Sequence, residues 1–334
     1  MNNLSLTPAM LAKIINSLGF DFDEGLEVQG RISVSDLFSK SKARCGIYLL
    51  SFSDNTYYIG QATDVVKRFS QHRKKYSNVE MLWFQPVSKK TLNDLEKLTI
   101  AKAERSGLLL TNKSLVTNII GDTDLDLIIT PNEQEEWLEK NKNISNEGFD
   151  LYSKIDLKYI LKYKYNFEKF KQLREYKELK KILNLYITKC IPAYKKTEMS
   201  FWSLSCLPST NQSARYFCLN VNFMEVFVVG CPKKTDITSG FIVTTYRFLN
   251  DEKDIDRIYK KYKTVDLDET SHYRAAGDDQ VRIRFSDLKE FENLLMTEND
   301  IVDSIKEMNL RLMRKGGTIY SRYHCFDLVK DVLE

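Results

Sequence analysis

Two short runs in the first third of the chain gather side chains able to act on a phosphodiester. Cys45-Gly46-Ile47-Tyr48-Leu49-Leu50 is followed by Thr56-Tyr57-Tyr58-Ile59-Gly60-Gln61, which sets Tyr48 and Tyr58 ten positions apart. Arg68 and His72 come next, four apart and so on one helix face, with Asp64 one turn earlier where it could orient Arg68. Glu96 lies on the next predicted helix. Cutting a phosphodiester requires that water lose a proton, that charge on the phosphorane be neutralised and that the leaving oxygen be stabilised. A carboxylate such as Glu96 can hold one Mg²⁺ whose remaining positions are filled by water and phosphate. Arg68 offers a fork of donors matched to phosphate oxygens. Singly, each residue has a plainer reading: a strand tyrosine is usually core, and a helix Arg or Glu usually faces water. The ordered set is what points to chemistry.

Positioning this set requires a small sheet and two helices. Gly46 to Phe52 and Tyr57 to Gly60 read as strands separated by Ser53, Asp54 and Asn55. A two-residue loop would send the tyrosines to opposite faces; a three-residue loop with Asn55 in the left-handed conformation puts both on the same face. A helix from Thr63 to about Tyr76, a strand around Val79 to Phe84 and a helix from Thr91 to Gly107, with Asp94 completing a cap, give the order β-β-α-β-α. Ahead of it, Thr7, Pro8 and Gly19 bracket a short amphipathic helix.

The segment resembles the GIY-YIG nuclease superfamily, which includes homing endonucleases, some restriction enzymes and the catalytic half of the bacterial excision-repair nuclease. Arg68, His72 and Glu96 stand where the family places its helix arginine, the residue one turn later and its metal-binding glutamate. The resemblance implies a divalent cation, Mg²⁺ or Mn²⁺, on Glu96, Tyr48 as the family-style general base with Tyr58 positioning or taking over, and products with a 5′ phosphate and a 3′ hydroxyl. A phenol with an ordinary pKa near 10 is a poor base at neutral pH unless a neighbour lowers the barrier. Many relatives carry Lys three residues after the second tyrosine; here it is Gln61, which shifts the burden of activating Tyr48 toward His72 or Arg68. The family also has an Asn beyond its Glu that braces the site, for which Asn112 is preferred and Asn118 is the alternative.

The fold class expected is α+β: a small antiparallel GIY-YIG-type sheet with flanking helices, then a larger α+β accessory domain. The expected domains are an N-terminal helical extension (1–39), the nuclease domain (40–120), an acidic linker (121–150) and the accessory domain (151–334). Residues 40–112 hold thirteen Lys/Arg against six Asp/Glu, whereas 119–150 hold two against nine. A basic module favours a polyanionic partner. A metal-dependent DNA endonuclease, of the kind used in phage defence or restriction, is the leading expectation. The alternatives are a catalytically silent nucleic-acid-binding or regulatory protein, and a nuclease for RNA or for branched or damaged DNA. Residues 154–196 carry thirteen Lys/Arg against four acids with interleaved tyrosines, which reads either as a nucleic-acid contact or as a helix with aromatics inward and lysines in water. A partner protein or a second copy engaged through the accessory domain is a further expectation.

No run reaches the ~18 apolar residues of a membrane span and no signal-like N-terminus is present, so a cytoplasmic location is expected. The six scattered cysteines read as buried free thiols. His272, on a loop with Arg274, Asp278 and Asp279, reads as part of a polar turn; His324 reads as packing and Gly316-Gly317 as a turn between helices.

Overall fold

The computed structural model describes residues 7–38, 43–113, 115–147, 151–209, 214–232, 237–249, 252–268, 276–277 and 279–334. It divides into two compact units, Met1–Gly121 and Asp122–Glu334.

In the first unit, a sheet of order β1-β4-β2-β3 is built from β1 (Leu26–Glu27), β2 (Gly46–Phe52), β3 (Tyr57–Ala62) and β4 (Val79–Pro86), all antiparallel. Its helices are α1 (Pro8–Ser17), α2 (Val65–Arg73) and α3 (Leu92–Arg105). β2 lies buried along its whole length because alternate residues feed two cores. Ile47 and Leu49 join Ile15 and Leu18 from the N-terminal helical segment and Ile100 and Ala103 from α3. Tyr48, Leu50 and Phe52 join Val65 and Phe69 of α2. The N-terminal segment is thus part of this core, and β1, invisible to periodicity because it is two residues long, extends the sheet beside β4. Thr7 caps α1 with Pro8 at its first position. Asp64 caps α2 by accepting from the amides of Val66 and Lys67 at 3.0 and 3.2 Å. Thr91 sits at the start of α3 without a side-chain cap bond; its hydroxyl donates to the Ser88 carbonyl instead.

The second unit packs a six-stranded antiparallel sheet, order β5-β6-β7-β8-β10-β9, with helices. The strands are β5 (Trp202–Cys206), β6 (Ala214–Val221), β7 (Met224–Cys231), β8 (Ser239–Thr245), β9 (Val265–Asp268) and β10 (Gln280–Phe285). The helices are α4 (Pro131–Glu139), α5 (Leu157–Ile160), α6 (Lys164–Phe170), α7 (Tyr176–Cys190), α8 (Tyr194–Thr197), α9 (Glu252–Lys261), α10 (Leu288–Thr297), α11 (Asn299–Arg314) and α12 (Phe326–Leu333). The acidic stretch expected as a linker contributes Leu125, Ile129 and Trp137 to the core of this unit. Two of its charges sit in caps, Asp126 at Thr123 and Glu133 at Thr130 where α4 starts. The architecture is α+β throughout. Among the described residues no helix is long and apolar enough to cross a membrane, and all six cysteines are free.

Candidate active site

The β2–β3 hairpin turns through Ser53-Asp54-Asn55, with Asn55 at φ 59° and Asp54 Oδ1 accepting from the amide and hydroxyl of Thr56 at 3.1 and 2.6 Å. The resulting register pairs Leu50 with Tyr58 and Tyr48 with Gly60, so both tyrosines face α2. Their rings lie 6.1 Å apart at 26°. Gly60 is required by that packing: a Cβ there would come within 2.5 Å of Tyr48 Oη and 2.9 Å of Tyr58 Cε1. Gly46 has a different reason, since its Cβ would meet the Gln85 carbonyl oxygen at 2.0 Å. The two glycines of the motif are thus closeness requirements, one toward the tyrosine rings and one toward the neighbouring strand.

From α2, Arg68 and His72 reach the same face. Tyr48 Oη lies 2.7 Å from His72 Nε2, and Arg68 Nε donates to Tyr48 Oη at 3.2 Å. The Tyr58 ring meets His72 at a tilt of 59°, 4.7 Å between centroids. Burial pushes the Tyr48 phenol above its ordinary range, with Tyr58 adding to the effect and Arg68 opposing it. Burial, helped by the positive charges of Arg68 and Lys75, pulls His72 down to about 4, so the imidazole is neutral at pH 7 and its Nε2 can accept the phenolic proton. Tyr48 is only 1% exposed. A cavity of about 190 Å³ opens beside it, lined by Tyr58, Arg68, Gln71, His72, Lys75 and Tyr76. Asp64, expected to orient Arg68, is spent on the α2 cap; the side chain that holds Arg68 Nη1 is Gln71, at 3.1 Å.

Glu96 forms a second group at the free edge of β3. Its Oε1 accepts the Gln61 amide at 3.1 Å and its Oε2 accepts Gln61 Nε2 at 3.0 Å. Gln61 Nε2 also donates to Asn93 Oδ1 at 2.6 Å. Burial raises the Glu96 carboxyl while the Gln61 hydrogen bonds and the Arg68 charge oppose the rise. Arg68 therefore acts on both groups, by hydrogen bond on Tyr48 and by charge on Glu96. A half-buried carboxylate with each oxygen bonded once keeps lone pairs free, and its burial cost would be relieved by a cation. One carboxylate is a donor set that suits Mg²⁺, which keeps most of its shell for water and phosphate. Among the described residues no three His, Cys, Asp or Glu side chains gather as a closed cage.

The same edge continues upstream. Tyr57 exchanges backbone bonds with Leu109 and Thr111, both 2.8 Å. The buried Asn112 side chain then takes over as a surrogate strand, accepting from Ile59 N at 3.1 Å and donating to Ile59 O at 2.7 Å. Asn118 is exposed, and its amide points to Glu104. Asn93, Gln71 and Lys75 are the residues here that sequence reasoning did not single out; the position of Gln61 in the motif was the available signal for Asn93.

Elsewhere, His324 is buried and paired with Glu198: Nε2 lies 2.9 Å from Glu198 Oε1 and Nδ1 accepts the Leu204 amide. His272 and Arg274 lie outside the described residues. Asp279 pairs with Arg311.

Residues 44–104 match the family model of the GIY-YIG catalytic domain. No curated protein and no solved structure matches the chain. The match supports a nuclease-type function and a nucleic acid as its substrate, while residues 105–334 remain outside it.

Proposed function

We propose that the first unit is a metal-dependent endonuclease that hydrolyses DNA phosphodiesters with Tyr48, Tyr58, Arg68, His72, Glu96 and Asn112. The observation that carries this reading is the Tyr48 phenol held between a neutral imidazole and a guanidinium, inside the segment that matches the catalytic domain. Glu96 would hold the divalent cation, which supplies positive charge for the developing phosphorane.

The remaining work falls to the chain's own side chains. Arg68 covers Tyr48 in the resting site, and its guanidinium is the group suited to a phosphate oxygen. When it turns to the phosphate, Tyr48 Oη is freed to accept a proton from water. The raised phenol does not exist as a standing phenolate, so its own proton passes to His72 Nε2 as the new one arrives. His72 is thus the final proton acceptor and Tyr48 the relay. Phosphate binding also screens Arg68, one of the charges that depress His72, which makes the imidazole a better acceptor when substrate is present. Tyr58 lines the cavity and supports a second reading, in which it touches the water directly.

Glu96→Gln keeps size but loses the anionic charge and one of the two acceptors that meet Gln61. With Mg²⁺ or Mn²⁺, on supercoiled plasmid, single-stranded DNA and RNA, the variant is expected to lose about three powers of ten in rate with unchanged folding. Wild-type cleavage by the variant, or by the wild type in EDTA, would sink the reading.

A further inference from the structure

One face of the second unit is not explained by its core. In the segment from Leu157 to Phe170, Phe167 and Phe170 are buried, yet Tyr159 and Tyr165 are 61% and 70% exposed. A second segment joins this face: Lys162 Nζ and Tyr163 Oη both donate to the Arg322 carbonyl, at 3.0 and 3.1 Å, which brings up Tyr323, itself 41% exposed. Cations interleave with the rings. Lys169 Nζ lies 4.4 Å from the Tyr165 centroid, and the Arg322 guanidinium lies 4.7 Å from that of Tyr323.

Three lysines of this face stand outside ion pairs. Lys158, Lys162 and Lys164 are exposed and form no ion pair with another described residue. Of the two acids between 156 and 170, Asp156 is turned to its backbone cap on Lys158 and Glu168 is paired with Lys171.

We propose that this face binds single-stranded nucleic acid, with phosphates on Lys158, Lys162 and Lys164 and unpaired bases stacked on Tyr159, Tyr165 and Tyr323. Exposed rings set among cations match an unpaired strand, whose bases offer π-faces to the rings and whose phosphates offer charge to the lysines. A duplex hides those base faces. An anionic bilayer surface would meet the same charge, but the run from Leu157 to Phe170 changes from α to 3-10 winding at Leu161–Tyr163 and its exposed aliphatic side chains are Leu157 and Leu161, too small an apolar stripe to seat in an interface. The proposal rests on the nuclease reading only in taking a nucleic acid as the polyanion, and its test is made apart from cleavage.

The probe is a fluorescently labelled 20-nucleotide oligothymidylate, and the readout is anisotropy with the full chain carrying Glu96→Gln in EDTA. Tyr159→Ala with Tyr165→Ala is expected to weaken binding about ten- to a hundredfold, the range of one or two missing base stacks, while Tyr159→Phe with Tyr165→Phe keeps affinity. Lys158→Gln, Lys162→Gln and Lys164→Gln together should flatten the slope of log affinity against log salt by about 0.7 for each phosphate that is no longer neutralised. These side chains are exposed, and an unchanged thermal midpoint confirms folding. Unchanged affinity in the double alanine variant overturns the proposal. So does loss of binding to phosphatidylserine vesicles with strand binding intact, or tighter binding of a duplex with the same tyrosine dependence. A chain that cleaves but shows no tyrosine-dependent binding refutes this face alone; one that binds through it but never cleaves refutes the nuclease reading alone.

Discussion

Asn112→Ala is the perturbation whose cost can be worked most directly from the structure. The side chain is 4% exposed and holds both backbone groups of Ile59. Alanine leaves a buried N–H and a buried C=O without partners, at about 1–3 kcal/mol each, hence a loss of roughly 2–6 kcal/mol for the first unit. For a unit of this size that corresponds to a fall of roughly 10–30 °C in its melting transition. Asn112→Asp sharpens the test, because it keeps volume and the acceptor for Ile59 N but sets a second oxygen against the Ile59 carbonyl where the amide nitrogen now donates. It should therefore cost as much as alanine despite its shape. Asn118→Ala, at an exposed position, should stay within about 0.5 kcal/mol of wild type. Thermal denaturation by circular dichroism gives the global cost, and hydrogen exchange at the Ile59 amide reports the local opening. An Asn112→Ala chain with the wild-type transition and a protected Ile59 amide would refute the bracing role.

The other expectations concern the site itself. Tyr48→Phe should lower the cleavage rate by about 10²-fold or more as the relay is broken, and Tyr58→Phe should cost less; the reverse order, measured in the same plasmid assay, would give the water to Tyr58. Gly60→Ala forces Tyr48 off His72 and should destabilise the first unit by about 1–3 kcal/mol while reducing cleavage; wild-type rate and midpoint would contradict the packing argument. The unfolded chain takes up the His72 proton near 6.5 and the folded one only near 4. Stability is therefore full above about 6.5 and falls by up to about 3 kcal/mol as pH drops toward 4. His72→Gln should flatten that part of a urea-midpoint against pH profile, and an unchanged profile would assign the slope to other groups.

What the sequence disclosed depended on whether a signal was local. The hairpin was legible because Asn55 fixes the loop and the loop fixes which face the tyrosines share. Helices α2 and α3 followed from start and stop signals, Thr91 and Gly107 for the second. The role of Asp64 was misread: four-residue spacing placed it near Arg68, but the free amides at the start of α2 are closer and claim its carboxylate. Gln61 was noticed only as a missing charge. Its bonds to Glu96 depend on an edge strand meeting a helix thirty-five residues away, which no periodicity encodes. Likewise the expected linker reads as acidic and polar, yet Leu125, Ile129 and Trp137 are enough to seat it in the second core. In the basic segment the two readings divide by residue, since the phenylalanines face inward while Tyr159 and Tyr165 stay in water.

The free side of β3 has a consequence for assembly. Its outward amides, those of Tyr57, Ile59 and Gln61, are spent on a neighbouring segment, an asparagine and the glutamate proposed to hold the cation. At the opposite border the sheet ends in a strand of two residues. Neither border offers a template onto which a second copy could add a strand. Two such domains brought together to nick both strands of a duplex would have to meet through helices or through the second unit, and their sheets would remain separate. A border ligated in this way also guards the candidate site, because any strand that invaded it would have to displace Asn112 from the Ile59 amide and Glu96 from that of Gln61.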